Sequence, residues 1–424
     1  MTALSLSAEP TNARREITAE VFSPAVLAYA VSMVRDAAAR GVRRIYFLAR
    51  DGYTLKRAAE QVCAVCGISL ECRYLYCSRL SLRTAEYFLD EDASMKRLQN
   101  GCARLTENTL FSRIQLNGEE RAAVLTDISR ESSADTVLTR SQAEELCRQL
   151  RESVVFDSIM DIKSKKAFER TIDYFTAEGL FSEDTIYIAD SGWCGSVQQS
   201  ISTLIRAAGA KQRVFGYYFG LFAAPSEVRR DSRCFYFSPG KNVLRKARFC
   251  NNLIEIALSA PHPMTVGYEY TEGGIEPVFS GNSAGEGEYA LCEAISRDIE
   301  GYCRENAAEF MKLSEDELVK TAQKSIVPFM TNPTPEQAAA FSEVMFCDDS
   351  SDCYLLPVSE RLGAEEIFRQ TLFCSAARRL LHRGMPAKSL IWFCGTAALS
   401  DVRFKRLLRA DNTLRSCIRF LISR

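Results

Sequence analysis

"TIYIADSGWCGSVQQS", Thr185–Ser200, decides the fold. It opens as Thr-Ile-Tyr-Ile-Ala, a short apolar run with β-branched and aromatic residues, which is the pattern of a buried strand. Asp190 ends the run. Gly192 and Gly195 turn the chain into VQQSISTLIRAAG (197–209), where apolar residues recur at helical spacing and Gly209 stops them. RVFGYYFGLF (213–222) reads as strand again. Strand, turn, helix and strand within about forty residues make a parallel β-α-β unit, because parallel strands need a long crossover.

The same pattern stands earlier in the chain. RRIYFLA (43–49) is a short apolar strand, GYTLKRAAEQVCAVCG (52–67) a helix and ECRYLYCS (71–78) a second strand. A helix precedes them, SPAVLAYAVSMVRDAAARG (23–41), with Ser23 as N-cap, Pro24 in its first turn and Gly41 as stop. Two β-α-β units predict one mostly parallel, Rossmann-like sheet with helices on both faces. Residues 85–165 are polar and helical and read as an insertion. The α/β domain spans 19–268. A Gly-rich acidic stretch near 270–287 reads as a boundary loop, and 288–424 as a mostly helical C-terminal domain. Its helices include AEEIFRQTLFCSAARRLLHRG (364–384) and DVRFKRLLRADNTLRSCIRFLIS (401–423).

The 424 residues are 47% hydrophobic and 25% charged, the balance of an ordinary folded protein, and a net charge of −1 supplies no field for nucleic acid. No uninterrupted run of about 18 apolar residues marks a membrane span. The opening MTALSLSAEPTNARREI has no apolar core of signal-peptide length, so a cytoplasmic location is expected and the sixteen cysteines read as reduced thiols. Cys63 and Cys66 form a CxxC, but no second pair stands at zinc spacing, so a structural role is expected.

Ligands of open α/β sheets sit beyond the carboxyl ends of the strands. Two loops are expected there. One holds Arg50, Asp51, Gly52 and Tyr53. The other holds Asp190, Ser191, Gly192, Trp193, Cys194, Gly195 and Ser196. Glycines let a backbone approach an anion, and the helix that follows offers free N–H groups and a positive dipole end. An acid at a strand end accepts from sugar hydroxyls or holds Mg2+. Trp193 beside glycines suits stacking on a ring or sugar face. Each loop also reads as a tight turn capped by Asp or Ser. After the second strand, Ser78, Arg79 and Arg83 offer a phosphate grip, with the two arginines four residues apart on one helical face. NNLIEIALSAPHPM (251–264) carries Glu255 on one face with Asn251 and Ser259, and His262 between two prolines. His262 suits an acid or base, or a rigid structural turn. His382, the other histidine, has no assigned role. Lys241, Arg245, Lys246 and Arg248 read as an anion-gripping loop or a solvated turn.

The paired loops resemble those of type I phosphoribosyltransferases. In that family one strand-loop holds pyrophosphate, and another strand ends in two acids and a Thr-Gly-x-Thr phosphate loop. Laid over it, Asp190 falls on the second acid and Cys194-Gly195-Ser196 on Thr-Gly-x, whereas Ala189 and Val197 depart from the first acid and the last threonine. A broader resemblance runs through IYFLARDGYTLK, YLYCSRLSLR, IADSGWCGSVQ, YFSP and NLIEIALSAPHPMTVGY. It is to bacterial proteins labelled haloacid-dehalogenase-like hydrolases, encoded among polysaccharide-biosynthesis and glycosyltransferase genes. In longer members this region follows a true haloacid-dehalogenase module. In LARDGY, Asp51 imitates the second acid of that module, but Ala49 occupies the place of the nucleophilic carboxylate.

The resemblances imply a phosphorylated sugar or nucleotide as ligand and an enzyme of cell-surface polysaccharide assembly, with phosphoribosyltransferase-like transfer as its chemistry. The alternatives are a haloacid-dehalogenase-like phosphohydrolase with Asp51 as acid, and a non-catalytic glycosyltransferase partner. Catalytic expectations fall on Asp190, Asp51, His262 and Glu255, with Mg2+ at Asp190. The basic amphipathic C-terminal helix is expected either to dock on the domain or to lie on an anionic membrane at the inner face.

Overall fold

The computed structural model describes residues 11–99, 105–281, 286–347, 354–372, 374 and 390–422. In chain order the elements that build the site are α1 (Ser23–Ala39), β1 (Arg44–Leu48), α2 (Gly52–Cys66), β2 (Glu71–Leu75), α3 (Arg79–Tyr87), α4 (Val154–Ala177), β3 (Thr185–Trp193), α5 (Ser196–Ala207), β4 (Arg213–Leu221), β5 (Ser232–Phe237), α6 (Asn251–Leu258), β6 (Thr265–Thr271), β7 (Gly274–Phe279), α7 (Glu286–Phe310), α8 (Glu315–Thr331) and α9 (Lys405–Ile422).

Five strands form one all-parallel sheet in the order β2-β1-β3-β4-β5. This is the Rossmann-like α/β architecture that the two β-α-β units predict. Alternation along each strand feeds two cores. Ile45 and Phe47 of β1 face α1 and α2, where Leu55, Ala58, Ala59 and Val62 pack. Tyr46 and Leu48 face the other way, toward Ile201, Leu204 and Ile205 of α5 and Tyr174 and Phe175 of α4. The crossover through α2 therefore lies on one face of the sheet and the crossover through α5 on the other.

The 85–165 segment is helical and carries a small core of its own, built around Met95, Leu110, Phe111, Leu146, Leu150 and Phe156. The stretch expected as a boundary loop near 270–287 is instead mostly the antiparallel hairpin β6–β7. Its Tyr268 stacks on Tyr174, with ring centroids 4.2 Å apart, and donates from its hydroxyl to the Tyr76 carbonyl at 2.8 Å. α7 and α8 share the core cluster of α1 and the sheet, so the C-terminal helices and the α/β part are packed together.

α1 is buried on every side, with Ala25 to Val31 all inaccessible. The helical stretch Asn12–Ala39 is long and apolar enough to cross a membrane, which the search for unbroken apolar runs passes over, but 89% of its apolar window lies inside the protein. All fourteen described cysteines are free thiols, and no described group of three His, Cys, Asp or Glu side chains is arranged to hold a metal. Of the expected helix 364–384, Ala364–Arg369 is helical, while residues 375–384, His382 included, lie outside the described residues.

Candidate functional site

β1 has β2 on one side and β3 on the other, and their crossovers leave on opposite faces. The loops after β1 and β3 therefore part company at the switch point and leave a crevice between them. The two stretches meet there, as expected, although Asp190–Trp193, read from the sequence as loop, continue β3 because Gly192 and Trp193 still pair with β4: the Ser191 hydroxyl near the end of β3 donates to the Asp51 carboxylate in the turn after β1. A cavity of about 180 Å³ opens at this junction. Asp51, Asp190 and Glu255 line it together with Arg50, Ser78, Arg79 and the 191–194 backbone.

The chain reaches this shape through two glycines. Gly192 sits at φ +116°, where a Cβ would stand 2.4 Å from the Gly220 carbonyl oxygen of β4. Gly195 is the N-cap of α5 at φ +63°, and a Cβ there would meet a Val228 methyl at 2.5 Å. A helix end leaves its first N–H groups without intrahelical partners. No side chain caps this one. Ser196 and Val197, its first residues, lie on the cavity wall.

Three carboxylates also line the cavity. Asp190 is pushed up to about 7, first by burial and then by Glu255, against the Ser191 amide, which donates to its Oδ1 at 2.9 Å, and against Arg79. Asp51 is raised well above the carboxylate range by burial, then by Glu255 and Asp190, while the Ser191 hydroxyl and Arg50 oppose the shift. Glu255 is held by the Asn251 amide at 3.0 Å, and the Ser259 hydroxyl donates to its backbone carbonyl at 2.8 Å. The expected face of Asn251, Glu255 and Ser259 is thus tied together along α6. Arg79 opens α3, with Ser78 as its N-cap. It is exposed and makes no ion pair among the described residues. The lining is mixed in charge: its carboxylates suit hydroxyls or a cation, and its helix terminus and guanidinium suit an anion.

Several expected residues lie elsewhere. His262 has both ring nitrogens occupied, Nε2 by the Tyr74 hydroxyl at 2.7 Å and Nδ1 by the Pro263 carbonyl at 2.8 Å. Its ring packs among Tyr74, Tyr76 and Phe279, and burial lowers its pKa, so it wedges the hairpin against β2 outside the cavity. The Tyr53 hydroxyl donates to Glu293 of α7 at 2.8 Å, and Gly52 is buried at the start of α2. Arg83 turns toward the insertion, where burial and then Arg79, Arg113 and Arg97 bring it down to about 10. Trp193 touches the cavity, but its ring packs on Phe222, Phe237 and Phe249 and belongs to the core more than to a stacking platform. Lys246 is buried with its ammonium on the Phe222 carbonyl, and Arg245 donates to the Tyr236 carbonyl, so these two do not form an open anion grip.

The cavity also has walls that sequence reading does not find. Met264, Thr265, Phe346 and Cys77 line it. Thr265 is buried, and its hydroxyl has no partner among the described residues. No protein-family model matches the chain, and no curated protein matches it.

Proposed function

We propose that the protein binds a small phosphorylated sugar, or the sugar-phosphate part of a nucleotide, in the switch-point cavity and acts on it as an enzyme. The mixed lining carries this reading: Asp51, Asp190 and Glu255 together with the uncapped α5 terminus and Arg79. Phosphate sits at the helix terminus, where backbone N–H groups and the dipole favour it. Sugar hydroxyls face Asp190 and Glu255. The cavity falls below the roughly 300–1,000 Å³ of drug-sized sites, which favours a monosaccharide phosphate over a whole nucleotide.

Two buried acids, each raised by burial and by Glu255, gain from any ligand that brings a proton donor or a cation. Asp190 is the acid that would contact a Mg2+ brought in with the phosphate, since the described side chains form no three-ligand metal set of their own. Phosphoribosyltransferase-like transfer is the chemistry to test first, within the polysaccharide assembly that the sequence resemblance implies. A phosphohydrolase is the second reading. It draws on Asp51, whose raised pKa and Ser191 partner suit a general acid. Ala49 at the place of a nucleophile leaves that reading without a phosphoaspartyl step.

A thermal-shift screen with sugar phosphates, nucleotides and phosphoribosyl pyrophosphate, with and without Mg2+, tests the ligand. A ligand at 100 times its dissociation constant adds about 2.7 kcal/mol. Turnover of a labelled hit separates an enzyme from a non-catalytic glycosyltransferase partner. No shift with any phosphate compound overturns the reading.

A further inference from the structure

α9 has two apolar faces, and the fold uses one. On the inner side Leu408 is buried with Leu362, Ile367 and Val402. Phe420 stacks on Phe222 at 5.2 Å, with the rings nearly parallel. The Leu372 amide donates to Asp411, and Arg415 donates to the Gln370 carbonyl. This side is the docked face that amphipathic patterning allows.

The described residues leave the outer side exposed. Leu407 is 67% exposed, Leu414 54%, Leu421 52% and Ile422 78%, and Phe404 just before the helix is 60% exposed. At about 100° per residue, Leu407, Leu414 and Leu421 fall within roughly 40° of one another, and Phe404 and Ile422 flank them on one side. They make one continuous stripe along the helix. A stripe of this length on a folded surface marks an interaction site.

Charge decides its occupant. Arg406 lies beside the stripe, with Arg403 at its start, while Arg419 lies over the docked Phe420 ring. Arg403 and Arg406 are exposed, and neither forms an ion pair among the described residues. A second copy packed on the stripe would bring two arginine-edged surfaces together, which opposes pairing through it. A surface that is apolar within and negative at its boundary matches it. Long basic side chains reach the headgroups while their stems lie on the acyl region. We propose that α9 is a membrane-surface element, laying Phe404, Leu407, Leu414 and Leu421 into an anionic bilayer with Arg403 and Arg406 on lipid phosphates. The cavity and its chemistry play no part in this contact, so it stands or falls apart from the proposed function.

Flotation of the full chain with vesicles is the test. Vesicles of mixed phosphatidylglycerol and phosphatidylcholine are compared with phosphatidylcholine alone, at about 0.05 and 0.5 M salt, between which the screening length shortens about threefold. Binding to the anionic vesicles at low salt, falling at least about tenfold at high salt, is expected. Leu407→Ser with Leu414→Ser, and separately Arg403→Glu with Arg406→Glu, each abolish it. All four side chains are exposed, so the melting temperature holds. Absence of flotation at low salt overturns the proposal, as does equal binding to neutral vesicles at both salts. Self-association in ultracentrifugation that the leucine pair abolishes assigns the stripe to a second copy and also overturns it.

Discussion

Asp190→Asn is a sharp perturbation of the site. In the folded protein Asp190 titrates near 7 against an ordinary 3.8, chiefly because burial disfavours its charge. A raised carboxylate pKa means that stability is full below the unfolded value and is lost as pH rises through the folded one. The shift corresponds to roughly 4 kcal/mol by pH 8, an upper figure because solvent still reaches part of the side chain. Asparagine keeps the shape and can accept the Ser191 amide, but it never ionises. Wild type and variant should therefore melt together near pH 4. By pH 8 the variant should be the more stable, by up to about 5 °C at about 2.1 cal/mol/K per residue over this length. Sugar-phosphate binding should be lost over the same range. Differential scanning calorimetry from pH 4 to 8 measures the first, and calorimetric titration the second. A variant less stable than wild type at pH 8 refutes the reasoning, because Asp190 would then be gaining from its charge. A difference that does not change with pH refutes the burial account.

Arg79→Ala should weaken phosphate-ligand affinity by about tenfold or more while the melting temperature holds, since the guanidinium is exposed and without an ion pair among the described residues; a drop in melting temperature instead would make it structural. Gly192→Ala should cost about 2 kcal/mol or more, through a left-handed backbone and a Cβ pressed on the Gly220 carbonyl, read as a lower denaturant midpoint. Trp193→Ala should destabilise by about 3–5 kcal/mol through the cavity left among Phe222, Phe237 and Phe249; an affinity loss at unchanged stability would restore the stacking role.

The sheet was legible where apolar runs were cut by glycine. β1, α2, β2, β3, α5 and β4 all stand close to where their runs place them, because a strand buried on both faces has no polar register to confuse. β5 was harder to see. SRCFYF is short, mixed and separated from β4 by a five-residue helix, Ser226–Arg230. The hairpin β6–β7 was lost to composition: Glu272-Gly273-Gly274 reads as linker, yet two glycines between extended runs also make a hairpin turn, and only packing of Tyr268 on Tyr174 decides. At the site, the loop residues and Glu255 were visible because motif and helical spacing are local. Thr265 and Phe346 were not, since they arrive from distant segments. His262 misled for the same reason, because the groups that occupy its two nitrogens lie on β2 and in its own turn.

α1 is enclosed by partners that come much later in the chain. Ser32 and Arg35 hydrogen-bond to Glu315, and the α1 core is closed by residues of α7 and α8. During synthesis a ribosome adding about 5–20 residues per second makes those helices roughly 15–60 s after α1 has emerged. Throughout that interval the nascent chain displays an apolar helix of membrane-spanning length that only α2 and the sheet can cover. The faces of α1 that α7 and α8 later close stay open to solvent and to neighbouring chains until then. A chain released before residue 286 should partition into aggregates or membranes, although every strand of its sheet has already been made.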